Sequence, residues 1–136
     1  MATVQVEKQL GPAKRVIAGG LTAFNRSKVG DGKTKAFAVS VRDGGVIKGG
    51  ATARFWHGWV YVDLLWIDDS LRGQDLGTEV MAAVEAHALK LGARGVHLNT
   101  HGWQARPFYE RCGYSVIAEI PDYPTGHACY ILMKRF

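Results

Sequence analysis

Between Trp59 and Leu91 three consecutive stretches combine residue types that could hold an anion. Trp59-Val-Tyr-Val-Asp-Leu-Leu-Trp-Ile67 is β-branched and aromatic, of strand length and too short to cross a membrane. Arg72-Gly-Gln-Asp-Leu-Gly-Thr78 follows, with a cation and two glycines. Leu76, Val80, Val84, Ala88 and Leu91 then recur at helical spacing until Gly92 stops the run. The first N–H groups of a helix lack partners, and its macrodipole favours negative charge at that end. A phosphate-bearing cofactor is therefore the first expectation.

Proton chemistry has fewer candidates. Asp63 stands inside the otherwise apolar strand. A carboxylate buried there would have a raised pKa and could act as a base, directly or through water. A structural hydrogen-bond acceptor would occupy the same place. His57, between Trp56 and Trp59, and His127 are alternative bases, because histidine as a type titrates near neutrality. No Cys or His falls at zinc-ligand spacing, so a metal site is not expected.

Two phosphate loops are excluded by the sequence. It has no Gly-x4-Gly-Lys-Ser/Thr, and no Gly-x-Gly-x-x-Gly follows a strand. Instead, Arg72-Gly-Gln-Asp-Leu-Gly77 resembles the Arg/Gln-x-x-Gly-x-Gly/Ala loop of the GNAT superfamily of N-acetyltransferases. Asp75 departs from that pattern by standing where the middle glycine usually sits. Asp tolerates positive φ better than most residues, so the loop shape is compatible with it.

The elements that must position these residues follow from periodicity and punctuation. Residues 3–9 alternate like a strand. Val16, Ile17, Leu21 and Phe24 share one helical face between Pro12 and about Lys28, despite Gly19 and Gly20. Ala36–Val41 and Val46–Phe55 read as strands joined by an Asp43-Gly44-Gly45 turn. After the central unit, Gly95–Thr100 reads as a strand and Gln104–Cys112 as a short helix ending at Gly113. Tyr114–Ile120 and Ala128–Phe136 close the chain as strands. The order predicts an α+β (α/β-like) fold: a mixed, mostly antiparallel sheet flanked by helices, in one domain over residues 1–136. That order is also similar to the GNAT fold.

A second block extends the resemblance over nearly the whole chain. Gln104-Ala-Arg-Pro-Phe-Tyr-Glu-Arg-Cys-Gly-Tyr114 resembles the family's Asn-x-x-Ala-x-x-Phe-Tyr-x-x-x-Gly-Phe/Tyr segment. Ala105, Phe108, Tyr109, Gly113 and Tyr114 match. The usual Asn falls at Gly102, so its cofactor contact must be absent or come from Asn99 or Gln104.

The resemblance implies acetyl-CoA as cofactor and an N-acetyltransferase of small-molecule amines. A protein N-acetyltransferase, an acyl-CoA-binding sensor and a basic nucleic-acid partner are the alternatives. By resemblance, Arg72, Gly73, Gln74, Asp75, Leu76, Gly77 and Thr78 cradle the pyrophosphate through backbone amides. Leu65, Trp66 and Ile67 line the pantetheine slot, with an oxyanion-binding N–H near Ile67. Asn99, Gln104, Phe108 and Tyr109 complete the cofactor set, and His101 could face the slot. Tyr109 occupies the position of the general acid, with Asp63 as the candidate base. The acceptor pocket would draw on Phe24, Asn25, Trp56, Trp59, Trp66, Asp122, Tyr123 and His127.

Composition is compatible with this and decides little. Hydrophobic content of 47% and charged content of 21% are those of a globular domain. The net charge of +5 comes from scattered basic residues, which argues against a nucleic-acid face and suits an anionic cofactor equally well. The first residues lack a signal-peptide core, and Cys112 and Cys129 are expected to stay reduced, so a cytoplasmic location is expected. The expected partner is a small-molecule amine, for a monomer or homodimer without nucleic acid or membrane.

Overall fold

The β-branched run at the centre of the sequence becomes β3, Trp59–Ile67, and the sheet is built outward from it. A computed structural model describes residues 1–136 and divides into two compact units, residues 1–32 and 33–136.

The first unit holds α1, Leu10–Val29, which carries Ile17, Leu21 and Phe24 at helical spacing and buries none of its residues. It ends at Gly30, whose φ of +75° lets its N–H donate to Arg26 O at 3.0 Å. The strand expected over residues 3–9 does not form. Alternation gives a segment two faces, but a strand also needs a ladder partner, and no strand of this chain pairs with those residues.

The second unit holds a six-stranded sheet in the order β1-β2-β3-β4-β6-β5. Its strands are β1 Lys35–Asp43, β2 Val46–Trp56, β3, β4 Gly95–His101, β5 Ser115–Ile120 and β6 Cys129–Arg135. Every pairing is antiparallel except β3 with β4. This is the mixed α+β arrangement that the element order predicts. Helix α2, Leu76–Lys90, crosses over between β3 and β4, and α3, Arg106–Arg111, follows β4.

Alternation along the strands divides the sheet's two faces. Val60, Val62, Val96, Leu98 and Leu132 are buried with Val80, Met81, Val84 and Ala88 of α2. Each of these Val, Leu and Met side chains contributes about 1.5–3 kcal/mol relative to exposure. The intervening residues of β3 and β4, among them Tyr61, His97 and Asn99, point to the other face. A polar lock closes the core edge: Lys134 Nζ lies 2.7 Å from Glu85 Oε1 and donates to Cys112 O at 2.9 Å, while the Tyr114 hydroxyl donates to Glu85 Oε2 at 3.0 Å.

Two irregularities shape the site. β2 tolerates its internal glycines because a Cβ at Gly50 would strike Val39 O, and one at Gly49 would lie 2.6 Å from Trp66 O. Between β2 and β3, Ala53 pairs with Val62 but Thr52 pairs with Leu64, which leaves Asp63 as the extra residue of a bulge. No helix of the structure is long and apolar enough to cross a membrane.

Candidate functional site

The joint between β3 and α2 is a wound loop fixed at both ends. Asp68 accepts from Ser70 Oγ at 2.7 Å and Ser70 N at 2.9 Å, and these two bonds hold its carboxyl below the usual range. Arg72 folds back, with Nη1 2.7 Å from Asp69 Oδ1 and Nε donating to Ile67 O at 3.2 Å. Gly73 has φ +79° and Asp75 φ +57°, so the loop turns twice through the left-handed region. The ladder of α2 then begins with Glu79 N donating to Asp75 O at 3.2 Å. The N–H groups of Leu76, Gly77 and Thr78 precede that first bond and have no acceptor within the helix.

These groups border a cavity of about 600 Å³ between the end of β3, the loop and α3. Leu65, Trp66, Ile67, Arg72, Gly73, Asp75, Leu76, Gly77, Thr78, Gln104 and Phe108 of the predicted cofactor set line it. Gln74 lies in the loop but not on the lining, and Asn99 lines a different cavity. Leu71, Trp103, Ala105, Arg111 and Cys112 line it without having been expected from the sequence. Arg111 sits one turn after Pro107 in the short helix, a placement no motif position signals. Gly77 packs against Phe108, where an added Cβ would meet the ring at 3.2 Å.

Gln104 also organises its own turn. Its Oε1 accepts from His101 N at 2.7 Å and from the buried Thr100 hydroxyl at 3.3 Å. Thr100 Oγ1 in turn accepts from Ala105 N at 3.3 Å, which ties β4 to the start of α3.

Tyr109 does not line the cavity. It is buried between the rings of Phe108 (centroids 5.1 Å apart) and Tyr114 (6.1 Å), directly behind residues that do line it. Burial pushes its phenol up to about 12, with the neighbouring Cys112 a smaller cause.

On the opposite face a second cavity, of about 710 Å³, is lined by Arg54, Trp56, His57, Trp59, Tyr61, Asp63, His97 and Asn99. Its size is that of a small-molecule pocket. Asp63 is here, but the physical premise for it as a base is not met: it alternates with the buried Val60 and Val62, faces away from α2, and is exposed, not buried. His97 is half-buried, 5.0 Å from the Tyr61 ring and 6.2 Å from Trp59. Burial, and secondly the Arg54 guanidinium, hold it below its ordinary value of 6.5. The Arg54 guanidinium itself lies 5.1 Å over the Tyr61 ring.

The expected acceptor residues do not form one pocket. Trp56 and Trp59 line this second cavity, and Trp59 is level with Gly95 at the start of β4. Tyr123 and His127 lie at the opposite end of that strand, where Tyr123 packs at a tilt on His101 (4.8 Å) and His127 edge-on against Trp103 (5.2 Å). Six residue steps along the strand take Gly95 to His101, roughly 20 Å. Asp122, with φ +54°, belongs to the Tyr123 end, whereas Phe24 and Asn25 lie on α1 in the other unit. Trp66 borders the first cavity. The sequence brings aromatic residues into view but not their separation along the sheet.

The sequence pattern of the Acetyltransferase (GNAT) family matches residues 15–114. The chain belongs to the GNAT family of acetyltransferases. It is 41% identical over 92 residues to a blasticidin-S acetyltransferase of Streptomyces morookaense, covering 67% of this chain and 68% of that one. Over 125 residues it is 30% identical to Acetyltransferase Atu2258 of Agrobacterium fabrum, covering 91% of each. An acetyltransferase from Bacillus cereus of known crystal structure superposes with a TM-score of 0.90 at 25% identity, over 98% of both chains.

This GNAT chain is an acetyl-CoA-dependent N-acetyltransferase. The first cavity fits the cofactor's charge. It offers three N–H groups without helical acceptors at the positive end of α2, with Arg72 and Arg111 at its edge. Asp75 reaches the left-handed backbone of the loop although it is not a glycine.

Proposed function

We propose that this N-acetyltransferase acts on the amine of a small molecule that enters from the face bearing Asp63, His97 and Asn99. Acetyl-CoA would be held on the α2–α3 face. One observation carries the reading: β3 and β4 stop pairing at Val62 and Leu98, between the two cavities. β3 continues with β2 as far as Ile67, and β4 continues with β6 as far as His101. A slot therefore opens between two intact strands, with one cavity at each mouth. That one relative is a blasticidin-S acetyltransferase supports a small acceptor.

Bound acetyl-CoA would supply an activated thioester whose acetyl transfer to a neutral amine gives the amide and the CoA thiol, the amine's proton being the one the thiol ends with. The backbone amides of Leu76, Gly77 and Thr78 bind the pyrophosphate, and the carboxylate of Asp63 attracts the acceptor's ammonium group into the second cavity. Trp56, Trp59 and Tyr61 give that cavity an aromatic lining. Tyr109 keeps its proton across the working pH range. A thiol, near 8.5, is a stronger acid than a phenol held at about 12. Tyr109 accordingly would act by donating a hydrogen bond to the departing sulfur and not by transferring the proton outright, a role that requires its buried hydroxyl to reach the slot past the residues lining the cavity.

The test is thiol release from acetyl-CoA with a panel of blasticidin S, kanamycin, tryptamine and an unacetylated hexapeptide, with products identified by mass spectrometry. Acetylation of one of the small amines at a rate well above the peptide is the expected result. Peptide acetylation alone would contradict the small-molecule reading, and acetyl-CoA binding without turnover would indicate a sensor.

A further inference from the structure

We propose that His97 is the group that takes the proton from the acceptor amine. This rests on the reading of the second cavity as the acceptor site. Asp63 has lost the burial that made it the expected base, and of the half-buried titratable side chains of that wall, His57, Tyr61 and His97, the imidazole beside the point where β3 and β4 part is that of His97.

Three observations support the role. His97 lies on the same face of β4 as Asn99, one alternation short of the point where β3 and β4 part. Its side chain touches the rings of Tyr61 and Trp59, and no side chain of the protein hydrogen-bonds its imidazole. A ring held by aromatic packing, with both nitrogens unclaimed, is positioned but chemically available. Finally, its surroundings favour the neutral ring, because burial and the Arg54 cation both disfavour a second positive charge. The charged and titratable groups around it are Arg54 from β2, His57 from the hairpin, Tyr61 and Asp63 from β3, and Arg135 from β6, whose guanidinium lies over Trp59 at 5.8 Å.

The step balances. As the amine nitrogen bonds to the acetyl carbon, its proton passes to an imidazole nitrogen of His97, and the carbon–sulfur bond breaks with the electron pair leaving on sulfur as thiolate. His97 then gives the proton to solvent, and solvent returns one to the thiolate. The base and the hydrogen-bond donor thus act from opposite faces of the sheet, as separate entry and departure of nucleophile and leaving group require. Protonation of His97 abolishes the base, so kcat/KM falls as pH drops through its lowered pKa.

The test combines two readouts. NMR titration of the His97 ring in the acceptor-free protein should show it neutral at pH 7, titrating below 6.5. A ring that stays cationic throughout the pH range in which the enzyme turns over would overturn the proposal. In parallel, His97→Gln and His97→Ala are assayed with the fastest amine of the panel above. The expected loss in kcat is about 10²-fold, with the acetyl-CoA Kd and Tm near wild type, and added imidazole restoring part of the Ala variant's rate. A kcat within threefold of wild type, or a loss confined to KM for the amine, would overturn it. A role in packing alone would not give imidazole rescue. Wild-type enzyme inactive on every small amine would defeat the acceptor-site reading itself, and the proposal with it. That failure is told apart from the failure of His97 alone by wild-type turnover.

Discussion

Val62 and Leu98 are the last residues through which β3 and β4 pair, and both side chains are buried against α2. The strands therefore part immediately beyond a fixed point in the core. Rigid packing below and open backbone above are what a thioester slot requires, because the groups that line it are held by the sheet and not by a loop.

Cofactor affinity should depend more on the backbone of the α2 entrance than on Arg72. Arg72 is already paired with Asp69 at the surface, where such pairs are worth about 1 kcal/mol or less. Arg72→Ala should weaken acetyl-CoA binding by less than about tenfold. Gly77→Leu places a side chain against Phe108, where even a Cβ is at 3.2 Å, and should weaken binding more than about 100-fold. Isothermal calorimetry giving the reverse order would contradict a backbone cradle.

Asp75 should prove dispensable. Its φ of +57° is one that glycine adopts without penalty, and its charge borders a cavity read as a phosphate site. Asp75→Gly should leave acetyl-CoA affinity equal or tighter and thermal stability equal or higher. A tenfold loss of affinity, about 1.4 kcal/mol, would show the carboxylate taking part in binding.

The sequence carried the skeleton well where local patterns are strong. β3 spans Trp59–Ile67 as its β-branched run indicates, and α2 begins at Leu76, after the left-handed turn at Asp75. What it could not carry is tertiary. Residues 3–9 alternate correctly but lack a partner strand. Asp63 reads as buried because its neighbours are apolar, yet it alternates with the buried Val60 and Val62 and so faces away from α2, where no element covers it; the alternation was legible, the uncovered face was not. His97 escaped notice for the same reason: its significance comes from Arg54, Tyr61 and Trp59, which lie on other strands or at a distance in sequence.

Tyr109→Phe should cut kcat while leaving acetyl-CoA affinity close to wild type, by on the order of 10²-fold if loss of the hydrogen bond to sulfur limits turnover. The phenol, pushed up to about 12, is protonated and able to donate at every pH below that value. Its ionisation should therefore produce no alkaline fall in kcat up to pH 10. A wild-type alkaline limb near pH 9 that disappears in Tyr109→Phe would contradict this assignment.

The Glu85 lock should matter for stability and not for chemistry. Lys134→Met leaves a mostly buried carboxylate with only the Tyr114 hydroxyl as partner, which costs on the order of 1–3 kcal/mol. A Tm lowered by about 5 °C or more is expected, with kcat per folded molecule unchanged. An unaltered melting curve would show the pair to be energetically neutral.

The central claim is that cofactor and acceptor approach one slot from opposite faces of the sheet. Amide NMR of the 14.9 kDa chain tests it most directly. Titration with acetyl-CoA should shift the amides of Leu65 to Ile67 and Gly73 to Thr78, and leave Arg54, Trp59 and His97 in place. Subsequent addition of the active amine, with CoA in place of acetyl-CoA, should shift Tyr61, Asp63, His97 and Asn99. Shifts from the amine confined to the Tyr123–His127 end, or acetyl-CoA shifts spread over Arg54, Trp59 and His97, would contradict the two-faced site.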